Sequence, residues 1–163
     1  MDFSHLNLDD ILPHRRRMRL VGGIESVDAG GGVFLVPVLA SSPFLDASGT
    51  FKPSWAVELV AQAVACHCGW TWLGREDRPG TFGYVVAVDD YAILRICRPW
   101  AGETIRVRIV KDFDMPPAGV FTGVVIFGGL VIARATLKTF IESKHGILGE
   151  ERHGAQEGFG HGR

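Results

Sequence analysis

The sequence predicts an α+β fold in which an antiparallel sheet wraps one long central helix. Three observations predict it. Only one stretch, Ser54 to Trp72, reads as a long helix, and it is apolar nearly all round, as a helix buried on most sides is. Two strand-like segments precede it and four follow it. The 163 residues, 47% hydrophobic and 21% charged, suffice for one domain with a real core and no more. We expect that domain to span residues 1–142 and the Gly- and His-rich tail over 143–163 to be disordered.

The elements follow in order. Residues 4 to 14 predict a short helix or turn that ends at Pro13. Residues 18–27 and 33–39 read as strands joined by the Ala29-Gly30-Gly31-Gly32 hairpin connection. Pro37 removes a donor from the second strand, which is expected to be an edge or to carry a bulge. Residues 41–53 form a loop rich in Ser, Gly and Pro. The helix starts at Pro53 or Ser54 and stops by Gly74. A loop at 74–80 leads to strands over about 82–97, 103–113, 119–127 and 130–140. Arg98 to Gly102, Met115 to Ala118 and Gly128-Gly129 are the turns between them. A sheet around a single apolar helix is the hotdog architecture. Its open edges predict pairing with a second copy or a second hotdog subunit.

Composition excludes several function classes. Seventeen Lys and Arg against eighteen Asp and Glu leave a formal charge of −1, so no nucleic-acid partner is expected. Met115 to Ala133 carries no charge across nineteen residues, but its Gly and Pro punctuation and its Val, Ile and Phe content read as buried strands, not as a membrane span. Three cysteines and no apolar leader at the N-terminus predict a reducing, cytoplasmic setting. Cys66-His67-Cys68 is no metal cluster, because adjacent helix positions diverge by about 100°. Both thiols are expected to be buried. Cys97 is read as a lone strand residue. No metal and no cofactor are expected.

Glu58 is the most informative residue. It lies about one turn into an otherwise apolar helix, where desolvation disfavours the charged form of a carboxylate. Such a group is suited to exchanging protons near neutral pH. The alternative is a Glu near a helix N-terminus that points to solvent. Gln62 follows at i+4 and shares its face. His67, nine positions on, falls half a turn out of phase.

Ile11-Leu12-Pro13-His14-Arg15 with Met18-Arg19-Leu20-Val21, Glu58-Leu59-Val60-Ala61-Gln62-Ala63, Ala87-Val88-Asp89-Asp90-Tyr91 and Arg98 to Glu103 occur in an order that resembles the 3-hydroxyacyl-acyl-carrier-protein dehydratases of the FabA/FabZ type. Ser42-Pro43-Phe44-Leu45-Asp46, Pro53-Ser54-Trp55 and Gly69-Trp70 are most similar to the ApeP-like branch of aryl polyene clusters. The resemblance spans about residues 10–140. It implies a dehydratase in which the helix carboxylate, Glu58 here, works with a histidine from a G-H-F-P loop across a dimer interface. The corresponding loop, Phe44 to Phe51, contains no histidine.

His14 then has two readings: a replacement acid/base, or a structural residue that ties down the N-terminal segment. Asp46 and Ser48 read as turn chemistry. Gln62, Trp55, Ser54 and Phe44 are the expected substrate-side neighbours of Glu58, with backbone N–H groups at the helix start facing the thioester carbonyl. The resemblance also implies an acyl carrier protein with a phosphopantetheine-linked chain as partner, which the basic run Arg15, Arg16, Arg17 and Arg19 would suit. Two other functions stay open on the same fold: a non-catalytic subunit of a dehydratase heterodimer, and an acyl thioesterase.

Overall fold

The computed structural model describes residue 3 and residues 5–73 and 83–141. The expected tail over 143–163 and the loop at 74–80 lie outside the described residues. Two single-turn 3-10 helices, Leu8–Asp10 and Arg16–Met18, precede β1 (Gly23–Asp28) and β2 (Gly31–Pro37). The helix α1 spans Trp55–Thr71. β3 (Gly83–Ile93), β4 (Thr104–Met115), β5 (Ala118–Phe127) and β6 (Leu130–Ile141) complete the order. The six strands form one sheet, β1-β2-β4-β5-β6-β3, antiparallel at every step. This is the hotdog fold that the element order predicts.

The sheet's inner face and the helix make one core. Alternation puts Ile105, Val107 and Ile109 of β4 inward, where they are buried with Leu59, Val60 and Ala63 of α1. Arg106 and Arg108, between them, stay exposed. The tight β5–β6 hairpin turns on Gly128 and Gly129, whose φ of 56° and 78° are open to glycine at little cost.

Three expectations change. β2 lies between β1 and β4, so it is not an edge. Pro37 is tolerated because β1 pairs no further than Leu35, and the missing donor falls past the end of that ladder. The bulge sits in β1 instead, between Ile24 and Ser26. β1 begins at Gly23 rather than near residue 18, because a buried helix side chain takes the amides of Leu20 and Val21. β3 ends at Ile93: Leu94 N and Arg95 N both donate to Ile132 O, at 2.9 and 3.1 Å, which stops the ladder. Cys97 therefore lies outside any strand, its carbonyl accepting from Phe51 N.

Candidate functional site

The first turn of α1 carries Glu58, and Gln62 lies one turn on. Gln62 is completely buried. Its Nε2 donates to Glu58 Oε1 at 2.7 Å and to Met18 O at 2.6 Å. Its Oε1 accepts from Leu20 N at 2.8 Å and from Val21 N at 3.4 Å. A buried amide with all its capacity used is the usual condition of a polar group in a core. Gln62 thus faces the protein, not substrate. It clamps residues 18–21 onto the helix and orients the Glu58 carboxylate.

The N-terminal segment has a second fixed point. A Cβ on Gly69 would lie 2.0 Å from Ile11 O, so only glycine lets the Ile11 backbone approach α1 this closely. Between these anchors the chain passes Pro13 and His14. It brings His14 Nε2 to 3.6 Å from Glu58 Oε1. The two side chains keep 31% and 34% of their exposure, so the pair opens to solvent in the single chain. Glu58 is therefore less desolvated than its apolar helix implies. His14 Nδ1 is sealed from solvent and has no hydrogen-bond partner.

Arginines brace this segment. Arg15 donates to the carbonyls of Leu12, of His14 (3.1 Å) and of Asp9 (2.9 Å). Arg19 donates to Asp9 Oδ1 at 2.7 Å. All four arginines of the run, Arg15, Arg16, Arg17 and Arg19, are exposed, and Arg15 and Arg19 also hold the segment through these contacts.

The other predicted residues are more dispersed. Phe44 is buried against Phe51, ring centroids 6.0 Å apart, and belongs to the core. Trp55 is half-buried beneath the Lys52 ammonium, which lies 5.7 Å from the ring centroid. Ser54 caps α1 in helical geometry without a side-chain hydrogen bond. The amides of Trp55 and Ala56 bond to Lys52 O and Pro53 O, so neither is open to a substrate carbonyl, against expectation.

The loop Phe44 to Phe51 takes up the Asp46 carboxylate internally. Asp46 Oδ1 accepts from Ser48 N, Ser48 Oγ and Thr50 N at 2.7–2.9 Å. The Ser48 hydroxyl is the main cause that holds this carboxyl below its ordinary range. This is turn chemistry.

His67 is buried on the far side of the helix, between Trp70 and Phe121, with Nε2 2.9 Å from Asp28 O. Burial pushes the thiols of Cys66 and Cys68 up to about 12. No group of His, Cys, Asp and Glu among the described residues could hold a metal ion. No helix of the described residues is long and apolar enough to cross a membrane.

Sequence reasoning missed the clamp. Its signal was the lone amide in the middle of an apolar helix, which demands buried partners.

A sequence profile described as ApeP-like, "ApeP dehydratase", matches residues 6–147. The 3-hydroxyacyl-[acyl-carrier-protein] dehydratase FabZ of Clostridioides difficile (strain 630) is 29% identical over 108 residues, which cover 64% of this chain and 75% of that protein. FabZ of Alkaliphilus metalliredigens (strain QYMF) is 26% identical over 110 residues, 67% of this chain and 74% of that protein. Among solved structures, the dehydratase heterocomplex ApeI:P from Xenorhabdus doucetiae superposes with a TM-score of 0.76 at 23% identity, over 87% of this chain and 95% of that one. The E. coli PaaI protein of the phenylacetic acid degradation operon gives 0.55 at 19% identity, over 72% and 81%.

Proposed function

The chain belongs to the ApeP-like dehydratase family, and from that premise we propose that it removes water from a 3-hydroxyacyl thioester carried on an acyl carrier protein. The product is the 2-enoyl thioester, in fatty-acid-like or aryl polyene synthesis. The observation that carries the reading is Glu58: a carboxylate at the start of the central helix, fixed by Gln62 at 2.7 Å and still open to solvent. Glu58 in its carboxylic acid form protonates the departing hydroxyl. The relatives named FabZ support the acyl-carrier-protein thioester as substrate. The exposed Arg16 and Arg17 offer positive charge for an acidic carrier.

The site works in a dimer on this reading. β3 is a sheet edge and exposes Val85, Val86, Val88, Tyr91 and Ile93. Such an apolar edge is rarely left uncovered. The opposite edge, β1, is shorter, with six residues, and more polar. We assign β3 to pairing with a second hotdog subunit, identical or different. The ApeI:P heterocomplex supports the heterodimer as one such arrangement.

The test is product analysis with a 3-hydroxyacyl carrier substrate, with and without a hotdog partner. An enoyl thioester supports the dehydratase. A free acid and a free thiol identify a thioesterase instead. Glu58→Gln keeps the shape and should lose on the order of 10²–10⁴ in rate. Full activity in that variant rejects the role of Glu58. One observation favours a second reading: the loop Phe44 to Phe51 has no histidine, and its Asp46 carboxylate is taken up by Ser48 and Thr50. A chain that is silent alone but raises a partner's rate is a non-catalytic subunit.

A further inference from the structure

Resting on the dehydratase reading, we infer that Tyr91 is a positioning residue: its hydroxyl ties the start of α1, and with it the Glu58 carboxylate, to the β3 edge. The register of β3 shows how it comes to do so. Val88 and Ile93 pair with Leu137 and Ala133, which are buried, so that side of β3 faces the helix. Asp89 and Ala92 pair with Thr136 and Arg134, on the outer face. Residues that share a face of a regular strand are an even number of positions apart. Asp89 and Ala92 are not, so the register shift inserts one extra residue between them. Without it, residue 91 would lie with Asp89 on the outer face. With it, Tyr91 turns inward, and its Oη donates to Pro53 O at 2.7 Å.

The bulge comes at a conformational cost. Asp90 has a φ of 48°, in the left-handed region that side chains rarely adopt and that Asp tolerates better than most. Such strain persists where the surrounding structure over-determines it, often beside a functional site. A bulge near a sheet edge also serves to re-aim a side chain. Here the re-aimed group is Tyr91. The residue stays 41% exposed while its hydroxyl is taken by a backbone carbonyl. Burial pushes that hydroxyl up from its ordinary range, so it remains a donor near neutral pH. The carbonyl it holds is where α1 begins. Pro53 O also accepts from Ala56 N at 2.9 Å, and Ser54 adds no side-chain cap. Glu58 therefore lies between two fixed points, the Tyr91 hydroxyl before it and Gln62 after it. Gln62 orients the carboxylate. Tyr91 fixes the turn of helix that carries it, relative to the edge assigned to the second subunit. Misplacing an acting group by about 1 Å can cost on the order of 10²-fold in rate. A residue that sets this register acts on kcat through Glu58.

The experiment uses the full chain and the 3-hydroxybutyryl thioester of N-acetylcysteamine, with enoyl formation followed by absorbance and mass. Wild type, Tyr91→Phe, Asp90→Val and Asp90→Gly are compared, alone and with a hotdog partner subunit, and hydrogen exchange is read at the Ala56 amide. Tyr91→Phe keeps the ring and removes only the donor. It is expected to lose on the order of 10–10² in kcat with KM within about two-fold of wild type. Exchange at Ala56 should quicken, and subunit pairing by sedimentation should hold. Asp90→Val, which resists a positive φ, should lose rate likewise, and Asp90→Gly, which accepts one, should recover most of that loss. A wild type that makes no enoyl product in any setting overturns the dehydratase reading and this assignment with it. An active wild type with a fully active Tyr91→Phe overturns the assignment alone. So does unchanged exchange at Ala56 in that variant, because the hydroxyl then does not hold the helix start. A loss of rate that comes with loss of subunit pairing also overturns it, and leaves Tyr91 an interface residue.

Discussion

Replacing Gln62 by Leu tests the clamp that the site depends on. The two side chains have similar volume, so packing around residue 62 changes little. What is lost is the hydrogen bonding. Leu20 N, Val21 N and Met18 O lose partners at 2.8, 3.4 and 2.6 Å, and Glu58 loses its 2.7 Å donor. Met18 is exposed and Glu58 partly so, and both can turn to water. Leu20 and Val21 are 7% and 0% exposed, and their amides cannot. A buried donor left unpaired costs about 1–3 kcal/mol. The short bond to Leu20 counts at the middle of that range and the long one to Val21 at its foot, which gives about 3 kcal/mol in all. For a chain of this size that is a fall in melting temperature of about 6–12 °C. The assay is thermal unfolding of wild type and Gln62→Leu at one protein concentration, with hydrogen exchange read at residues 20 and 21. Both amides should lose protection first. A melting temperature within about 2 °C of wild type, with both amides still protected, would refute the clamp.

Three further outcomes follow from the same contacts. Gly69→Ala drives a methyl into Ile11 O, 2.0 Å from where the Cβ must lie, and should destabilise by about 1–3 kcal/mol while slowing turnover, read by urea unfolding and the enoyl assay. Burial, the largest cause, holds His67 below its ordinary 6.5, so its neutral form is the folded one and the unfolded chain binds more protons below that value. Lys111 pushes in the same direction, while the Asp28 hydrogen bond and the charges of Asp28 and Asp114 oppose it. Stability should be flat for this residue above pH 6.5 and fall as pH drops through the window beneath it; a urea midpoint in His67→Gln with the same acid slope as wild type would contradict this. Val86→Lys places a charge on the most exposed apolar residue of β3, 64% accessible, and should shift the sedimentation equilibrium toward monomer.

The fold was legible because its signals are global. One apolar helix among alternating strands admits few packings, and the counts on either side of Ser54 to Trp72 leave the hotdog arrangement as the economical one. Errors cluster where a side chain replaces backbone pairing. Residues 18–22 have strand composition, yet Gln62 takes the amides of Leu20 and Val21 that a ladder would use. Pro37 reads as an edge signal in isolation, while its neighbour strand ends before the proline matters. Glu58 and Gln62 were legible as one face because both lie on the helix. The approach of His14 to Glu58 was open in the sequence but not decided by it: a contact across 44 positions depends on where Pro13 and Gly69 steer the chain.

These departures share one cause, and it bears on function. A sequence tends to violate local rules where another demand overrides them. Here the overriding feature is the non-strand path of residues 11–21, pinned by Gly69 at one end and Gln62 at the other. Had Leu20 and Val21 joined β1, the chain before Gly23 would continue in the plane of the sheet. Hydrogen-bonded to the helix instead, it runs beside α1 and carries His14 to the first turn, where Glu58 is. The buried amide that costs β1 its first residues also bonds the carboxylate. A side chain that only filled the core would do neither. Gln62 therefore links the path of the N-terminal segment to the orientation of Glu58, and the two should fail together when it is removed.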